Sequence, residues 1–396
     1  MSDEQFGFTA DRMAMDGMFV LDTLIDSTLA KKGNLYVAFI DFQKAYDYVP
    51  RDAMFYKLIR MNMHSKVLRV IHSMYKVVES IVQCGVSQSD VINQLVGLRQ
   101  GCILSPCLFS AYISDLPKFL ASREGVDKCE GVLLHDHIVH VLMYADDLAL
   151  VATSAADLQR MLNALHVYAS RWQLLVNVSK TKVMIFNRTY TTRLGSAKQQ
   201  LAIQQRSVLN KSHSFIYNGN HVDIVSQFKY LGTIFHEDVL CTSMKVNSIA
   251  QCKLYDAAIQ FRVSQGRKCL ATWLRRCKTW MLNTDLVLTL FKTGAMPALE
   301  YGAGLWGVSS VRADAWQEVE RFWLSVARYI LHAPTRTPIS AIVGDLNWLP
   351  FSVRSGQQAM SFWSRVTKMD DTCLVRKAMH VQRELVSSKQ SCWLLS

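Results

Sequence analysis

The chain has 396 residues, enough for two or three domains and a large core, and half of them are hydrophobic, which excludes a disordered polymer. Its net charge is +12 at pH 7, a balance that favours polyanions through phosphate neutralisation, although a solvated basic surface gives the same number. No run of eighteen apolar residues occurs, and the start MSDEQFGFTADRMAMDG lacks the basic-then-apolar order of a signal peptide. The expectation is therefore an intracellular chain, in nucleus or cytoplasm, without a membrane span. The ten cysteines form no CxxC pair and read as reduced, mostly buried thiols.

In chain order, residues 11–32 predict a helix with Met15, Phe19, Val20, Leu24 and Ile25 on one face, stopped at Gly33. NLYVAFID predicts a strand ending at Asp41. Pro50 sits at the start of a helix over RDAMFYKLIRM, and a second helix follows near 65–76. ESIVQC and DVINQLVGL read as a strand pair. Gly101 opens a helical stretch, CILSPCLFSAYISDLPKFL. Residues 132–152 read as strand, turn and strand around Asp146 and Asp147, and residues 155–171 as an amphipathic helix. Short strands follow at 182–187 and 228–235. After about 240 the pattern becomes basic and helical. The fold class expected is α+β: a mainly antiparallel sheet backed by helices, then a helical region.

The chemistry gathers on aspartates. Asp146 and Asp147 lie side by side between apolar runs, where carboxylates are costly to bury unless a positive group meets them. Asp41 ends another apolar strand, and Asp47 follows it in FIDFQKAYDYVP. If the two strands are sheet neighbours, Asp41 and Asp146 project from one edge. Two such carboxylates can hold two Mg²⁺ ions roughly 3.5–4 Å apart, which suits in-line phosphoryl transfer. Taken alone, an Asp-Asp pair is more often a turn signal.

The segments FIDFQKAYDYVPRDAMFYKL, GLRQGCILSPCLF, MYADDLAL, LLVNVSKTKVMIF and FKYLGTIF occur in that order. Together they resemble the successive palm motifs of reverse transcriptases, specifically those of non-LTR (LINE-like) retrotransposons. YGAGLWG (301–307) and residues 337–366 resemble the thumb and post-thumb of the same elements, so the resemblance covers nearly the whole chain. It implies a right-hand polymerase layout: residues 1–33 a remnant of the fingers, 34–238 the palm, and 239–396 a helical thumb and post-thumb region. The implied activity is RNA-directed DNA polymerisation on an RNA template and a DNA primer. Deoxynucleoside triphosphates would be the substrates and Mg²⁺ or Mn²⁺ the cofactor. Protein partners are left open.

The same resemblance gives roles to single residues. Asp41 and Asp146 match the metal-binding aspartates, and Asp147 their partner. The backbone of Phe42 would lie near the triphosphate. Tyr46 stands at an aromatic steric gate, where its ring would crowd a ribose 2′-hydroxyl. Gln100 and Gly101 match the pair that contacts incoming nucleotide and template, with Gly101 allowing close backbone approach. Lys180, in preference to Lys182, would face the triphosphate, although solvated surface lysines are nearly as good a reading. Tyr230, Leu231 and Gly232 match the primer grip.

Two features compete with these. HDHIVH (135–140) suggests a zinc site, but His135 and His137 are expected on one strand face and His140 on the other. The basic helix at 267–278, with Trp273 and Trp280, reads as a backbone grip or as a solvated face. Two positions depart from the family pattern: Thr9 replaces a common basic residue and Gln173 a common glycine. With a long fingers region, an endonuclease domain and a cysteine-histidine knuckle all missing from the sequence, the chain reads as a fragment. The alternative function is a catalytically inactive remnant that at most binds nucleic acid.

Overall fold

In the computed structural model the described residues are 2–122, 128–190, 213–241, 256–280, 284–306 and 313–388. The chain divides into two compact units. The first gathers residues 1–17, 35–185 and 210–225, and the second residues 18–34, 186–209 and 226–396.

The first unit is built on β1 (Leu35–Ile40), a strand of six apolar residues that are all buried. Helix α1 (Ala14–Ala30) precedes it, and α2 (Arg51–Arg60) and α3 (Ser65–Lys76) follow. The strand pair expected between ESIVQC and DVINQLVGL is present but only two residues long, and a second two-residue ladder lies inside it. β2 (Glu79–Ser80) pairs with β5 (Ile92–Asn93), and β3 (Gln83–Cys84) with β4 (Ser87–Gln88). Their apolar residues face solvent: Val86 is fully exposed and Leu95 is 83% exposed. A strand pair without a core face cannot extend by burial, so it stays short.

The stretch after Gly101 also differs from the sequence expectation. Gly101 belongs to a turn, and the helical residues form α4 (Leu104–Ile113) and α5 (Leu116–Ala121), broken at Ser114–Asp115. Four strands follow: β6 (Val132–Leu134), β7 (His137–Val139), β8 (Val141–Tyr144) and β9 (Asp147–Ala152). The amphipathic segment at 155–171 becomes α6 (Ala155–Arg171). Its N-cap Ser154 accepts the Asp157 N–H at 3.1 Å, and Leu158, Met161, Leu162, Leu165 and Tyr168 are buried at helical spacing. β10 (Lys182–Tyr190), β11 (Phe215–Tyr217) and β12 (Asn220–Ile224) complete a sheet in the order β11-β12-β10-β1-β9-β8. Strands β1 and β9 are antiparallel, with Ile40 opposite Leu148. The core of this unit joins that sheet to α4, α5 and α6, through Ile40, Phe109, Tyr112, Leu150, Leu162 and Leu165 among others.

In the second unit, β13 (Gln227–Tyr230) and β14 (Thr233–His236) make a tight hairpin. β15 (Asp238–Cys241) pairs in parallel with residues 187–190 of β10. The rest of what is described is helical: α7 (Asp256–Trp280), α8 (Thr284–Leu290), α9 (Met296–Glu300), α10 (Ala303–Trp306), α11 (Ala313–Leu331), α12 (Ile339–Asp345), α13 (Phe351–Thr367) and α14 (Leu374–Ser387). A π-helical turn at Phe291–Ala295 joins α8 to α9. Phe291, Trp323 and Trp348 cluster with ring centroids 4.9–5.6 Å apart. Arg354 forks onto Glu300, which also accepts from Gln358 at 3.1 Å. The later part of α1 belongs here: Phe19 packs edge-on to Phe362 at 5.3 Å, and Gln382 donates to Asp26 at 3.2 Å. Among the described residues no helix is long and apolar enough to cross a membrane.

Candidate active site

The carboxylates meet because two apolar strands are neighbours. Asp41 is the residue after Ile40, whose partner is Leu148, so Asp41 emerges opposite Asp147, the first residue of β9. Asp146 occupies the turn between β8 and β9, where Tyr144 pairs with Asp147. Antiparallel pairing thus closes the 105-residue gap between Asp41 and Asp146.

The electrostatics are those of negative charges that the fold leaves under-compensated. Burial pushes the Asp146 carboxyl upward, its own backbone N–H lowers it in part, and the Asp41 charge raises it further. Asp147 is raised to about 6 by burial, then by the charges of Asp146 and Asp41, although its side chain reaches solvent. The Asp41 Oδ2 atom is buried and accepts no hydrogen bond, and Lys180 Nζ lies 3.6 Å from it. The backbone around Asp41 is well held. Its N–H donates to Thr181 Oγ1 at 3.3 Å, and its carbonyl accepts the Asn177 N–H at 2.7 Å. Gln43 N–H donates to Leu175 O at 2.7 Å, so the 41–43 segment is tied to residues 175–181.

The other expected residues of the first unit stand as follows. Phe42 is buried and bridges to Val176. Tyr46 is half-buried and stacks on Phe109 with centroids 5.0 Å apart; burial first, then the Asp146 charge, raises its hydroxyl to about 12. Gln100 is exposed and donates to Asp47 Oδ1 at 2.8 Å. Gly101 has φ +79, a conformation that favours glycine, with open space where a Cβ would stand. Lys180 is exposed beside Asp41, whereas Lys182 donates to Asp223 at 2.6 Å. The loop before Gln100 is clamped to the segment after Asp41. Leu98 N–H donates to Tyr46 O, Gly97 N–H to Val49 O, and Arg51 to the carbonyls of Gly97, Val96 and Tyr75. Sequence reasoning named Asp47 beside Asp41 but not its bond to Gln100, and it missed Thr181 and Arg51 as members of this assembly. Only tertiary contact, across the 41–181, 47–100 and 51–97 gaps, reveals these partners.

Tyr230, Leu231 and Gly232 form the tip of the β13–β14 hairpin in the second unit, with positive φ at Leu231 and Gly232. There Arg262 donates to Gly232 O at 2.5 Å and Tyr301 to Leu231 O at 2.8 Å.

The histidine cluster departs from expectation. His135 lies in a turn with φ +56 and not on a strand face. His137 pairs with Glu4 at 2.8 Å, and the buried His140 with Cys129 O at 3.3 Å. Of the described cysteines, Cys129 and Cys373 are buried, whereas Cys84 and Cys107 are exposed, so "mostly buried" does not hold. The side chains of Trp273 and Trp280, and Gly307 of YGAGLWG, lie outside the described residues.

A family model described as reverse transcriptase (RNA-dependent DNA polymerase) matches residues 1–235, more than half of the chain. The chain belongs to the reverse transcriptase family. Within it, its relatives are the non-LTR, LINE-like members. It is 25% identical over 312 residues to the RNA-directed DNA polymerase from mobile element jockey of Drosophila melanogaster, covering 77% of this chain and 30% of that protein. It is 25% identical over 322 residues to the probable RNA-directed DNA polymerase from transposon BS of Drosophila melanogaster, covering 78% and 30%. It is 23% identical over 310 residues to a Pol polyprotein from the type-1 retrotransposable element R2 of Popillia japonica, covering 77% and 44%. This reverse transcriptase chain therefore spans about a third of the length of the first of these relatives.

The donor set fits a divalent cation. Carboxylate oxygens are the hard ligands that Mg²⁺ takes, and a buried oxygen without a hydrogen bond beside two upward-shifted carboxyls is a place that a cation would stabilise. Among the described residues no three such side chains stand close enough to form a ready-made cage. Mg²⁺ does not require one, since it commonly uses one or two carboxylates with waters and substrate phosphates.

Proposed function

We propose that this chain carries the polymerase centre of a non-LTR RNA-directed DNA polymerase, adding deoxynucleotides to a primer 3′-end on an RNA template. The observation that carries the reading is the meeting of Asp41 with Asp146 and Asp147 at the end of neighbouring strands, with Asp41 Oδ2 left without a hydrogen bond. These residues would hold Mg²⁺ or Mn²⁺. When bound, the ions lower the pKa of the attacking 3′-hydroxyl and stabilise charge on the pyrophosphate leaving group.

The remaining roles follow from the neighbours. Lys180, exposed and 3.6 Å from Asp41, can swing to a triphosphate and offset its charge, while Lys182 is engaged with Asp223. Tyr46, pinned on Phe109, presents an aromatic face beside Asp146 that would crowd a 2′-hydroxyl. Phe42 supplies backbone beside the triphosphate. Gln100 and Gly101, held by the 46–51 segment, would contact nucleotide and template. Residues 1–33, 34–238 and 239–396 would serve as fingers remnant, palm and thumb, with Tyr230, Leu231 and Gly232 gripping the primer. The net charge of +12 suits a nucleic-acid duplex. The chain would work where its template is, in nucleus or cytoplasm.

The test is primer extension on an RNA template with Mg²⁺, comparing the chain with Asp146→Asn. Extension by the chain that falls about a thousandfold in the variant is expected, as several kcal/mol of transition-state stabilisation are lost. Extension by neither, together with salt-sensitive RNA binding, would replace this reading with that of an inactive binding chain.

A further inference from the structure

The N-terminal stretch EQFG has a place in the first unit that its sequence does not announce. Residues 4–6 run parallel to β8, the edge strand that leads into the aspartate turn. Met143 N–H donates to Glu4 O at 2.8 Å and Phe6 N–H donates to Met143 O at 2.8 Å. Past Met143 the chain turns through Tyr144, Ala145 and Asp146. Ala145 has φ +55, a left-handed conformation in which a residue with a Cβ must be held by its surroundings.

Gln5 does the holding. Its side chain is fully buried, and its Oε1 accepts two backbone N–H groups, from Ala145 at 3.2 Å and from Gly7 at 2.9 Å. Gly7 allows the approach: a Cβ there would stand 2.5 Å from Ala145 N and 2.9 Å from Tyr144 C, both backbone atoms that cannot move aside. Ser110 of α4 donates to Gly7 O at 3.3 Å and anchors the glycine from behind. One amide oxygen thus fixes the Tyr144–Ala145 peptide plane, one residue before Asp146.

We infer that Gln5 is a positioning residue for the metal-holding carboxylates, with Gly7 as the spacer that lets it reach the turn. Gln5 touches neither carboxylate; it acts through Ala145. The inference rests on the metal-holding reading of Asp41, Asp146 and Asp147. A purely structural role would show a different signature. The Gln5 Nε2 atom is buried with no hydrogen-bond partner, so an apolar side chain of the same length would relieve that cost.

The experiment is a titration of the full chain with Mn²⁺ alone, followed by electron paramagnetic resonance. It is run on the wild type, Gln5→Met, Gln5→Glu and Asp146→Asn, with thermal melting and amide exchange at Ala145 alongside. Gln5→Met removes the acceptor, and Gln5→Glu keeps an oxygen for both amides. Gln5→Met is expected to bind Mn²⁺ about tenfold more weakly, as loss of a group orienting a ligand does, while still folding cooperatively with a melting midpoint lowered by the two orphaned amides. Its Ala145 amide should exchange faster, while Gln5→Glu keeps that amide protected. Mn²⁺ affinity equal to wild type in Gln5→Met would overturn the inference and leave the carboxylate reading intact. A Gln5→Met chain that does not fold while Gln5→Glu folds would assign Gln5 to the core, which also overturns it. Wild type and Asp146→Asn binding Mn²⁺ alike would instead sink the carboxylate reading, and this inference with it.

Discussion

Two charged clusters in the first unit were built in opposite ways. Around Lys57, on α2, every donor is used. The ammonium donates to Tyr112 O at 2.5 Å, Asp115 Oδ1 at 2.8 Å and Tyr168 Oη at 2.8 Å. Three rings enclose it, with Nζ 3.8 Å from the Trp172 centroid, 4.7 Å from Tyr112 and 4.8 Å from Tyr168. The aspartates at the strand edge have no such company: an Asp41 oxygen is buried without a hydrogen bond, and an exposed lysine is 3.6 Å away. Burial acts against the charged form in both places, lowering Lys57 to about 8 and raising Asp147 to about 6. What differs is who supplies the partner. For Lys57 the fold supplies it, which makes the cluster a structural joint between α2, the α4–α5 break and α6. For the aspartates the fold supplies only the exposed Lys180, 3.6 Å from Asp41, and leaves room for a partner from outside the chain.

The largest test of that contrast is Lys57→Met. It leaves the buried Tyr112 carbonyl without its donor, while the half-exposed Asp115 can turn to water. A loss of about 2 kcal/mol in urea unfolding at pH 7 is expected. The pH dependence has a definite sign. Between about 8 and 10.5 the unfolded lysine still binds its proton and the folded one has released it, so stability rises with pH across that window. The neighbouring tyrosines are shifted upward by burial and stay neutral there. Lys57→Met should lack this rise. A loss under about 0.5 kcal/mol would mean that the cage is ornamental.

The second test runs the other way. Asp147→Asn removes a charge that the fold does not want, so it should stabilise the metal-free chain. For a carboxyl raised from 3.8 to about 6, the extra stability is present below pH 4 and is lost as pH rises through 6. The gap between variant and wild type should therefore open between pH 4 and 6 and stay open above. Because the Asp147 side chain reaches solvent, the gap is screened to about 1 kcal/mol. A variant less stable than wild type at pH 7 would show that the carboxylate is held by the fold after all.

These two clusters were not equally legible in the sequence. The aspartates stood out because a charged pair between apolar runs breaks the local pattern, and the strands beside them, made of continuous apolar residues, could be read as sheet neighbours. Helix α6 was legible to the residue for a similar reason: its apolar period and its cap agree. Lys57 was invisible, since a lysine on a short helix reads as solvent-facing, and its rings come from 112, 168 and 172, more than fifty residues away. The 79–96 segment misled in the opposite sense. Its valines and isoleucines have strand propensity, but nothing in the first unit buries Val86 or Leu95, and propensity without a covered face gives ladders of two residues. Gln5 and Gly7 lay between these cases, in a stretch whose partner strand begins at residue 141.

The smallest effect sharpens the comparison furthest, because it restores the missing partner. A ligand that binds only the folded chain adds stability as RT ln(1 + [L]/Kd), so Mg²⁺ at three times its dissociation constant should add about 0.8 kcal/mol to the wild type. Asp146→Asn should gain much less, and Lys57→Met as much as wild type, since its cluster lies outside the carboxylate edge. The pH profile gives a second reading of the same event. With the cation bound, ionised Asp147 is no longer a cost, so the fall in stability from pH 4 to 6 should flatten and then reverse as ligands become deprotonated. Equal Mg²⁺ gains in wild type and Asp146→Asn would mean that the ions act on the surface at large. A gain confined to chains with both aspartates would mark the strand edge as a site that folding leaves incomplete and a cation completes.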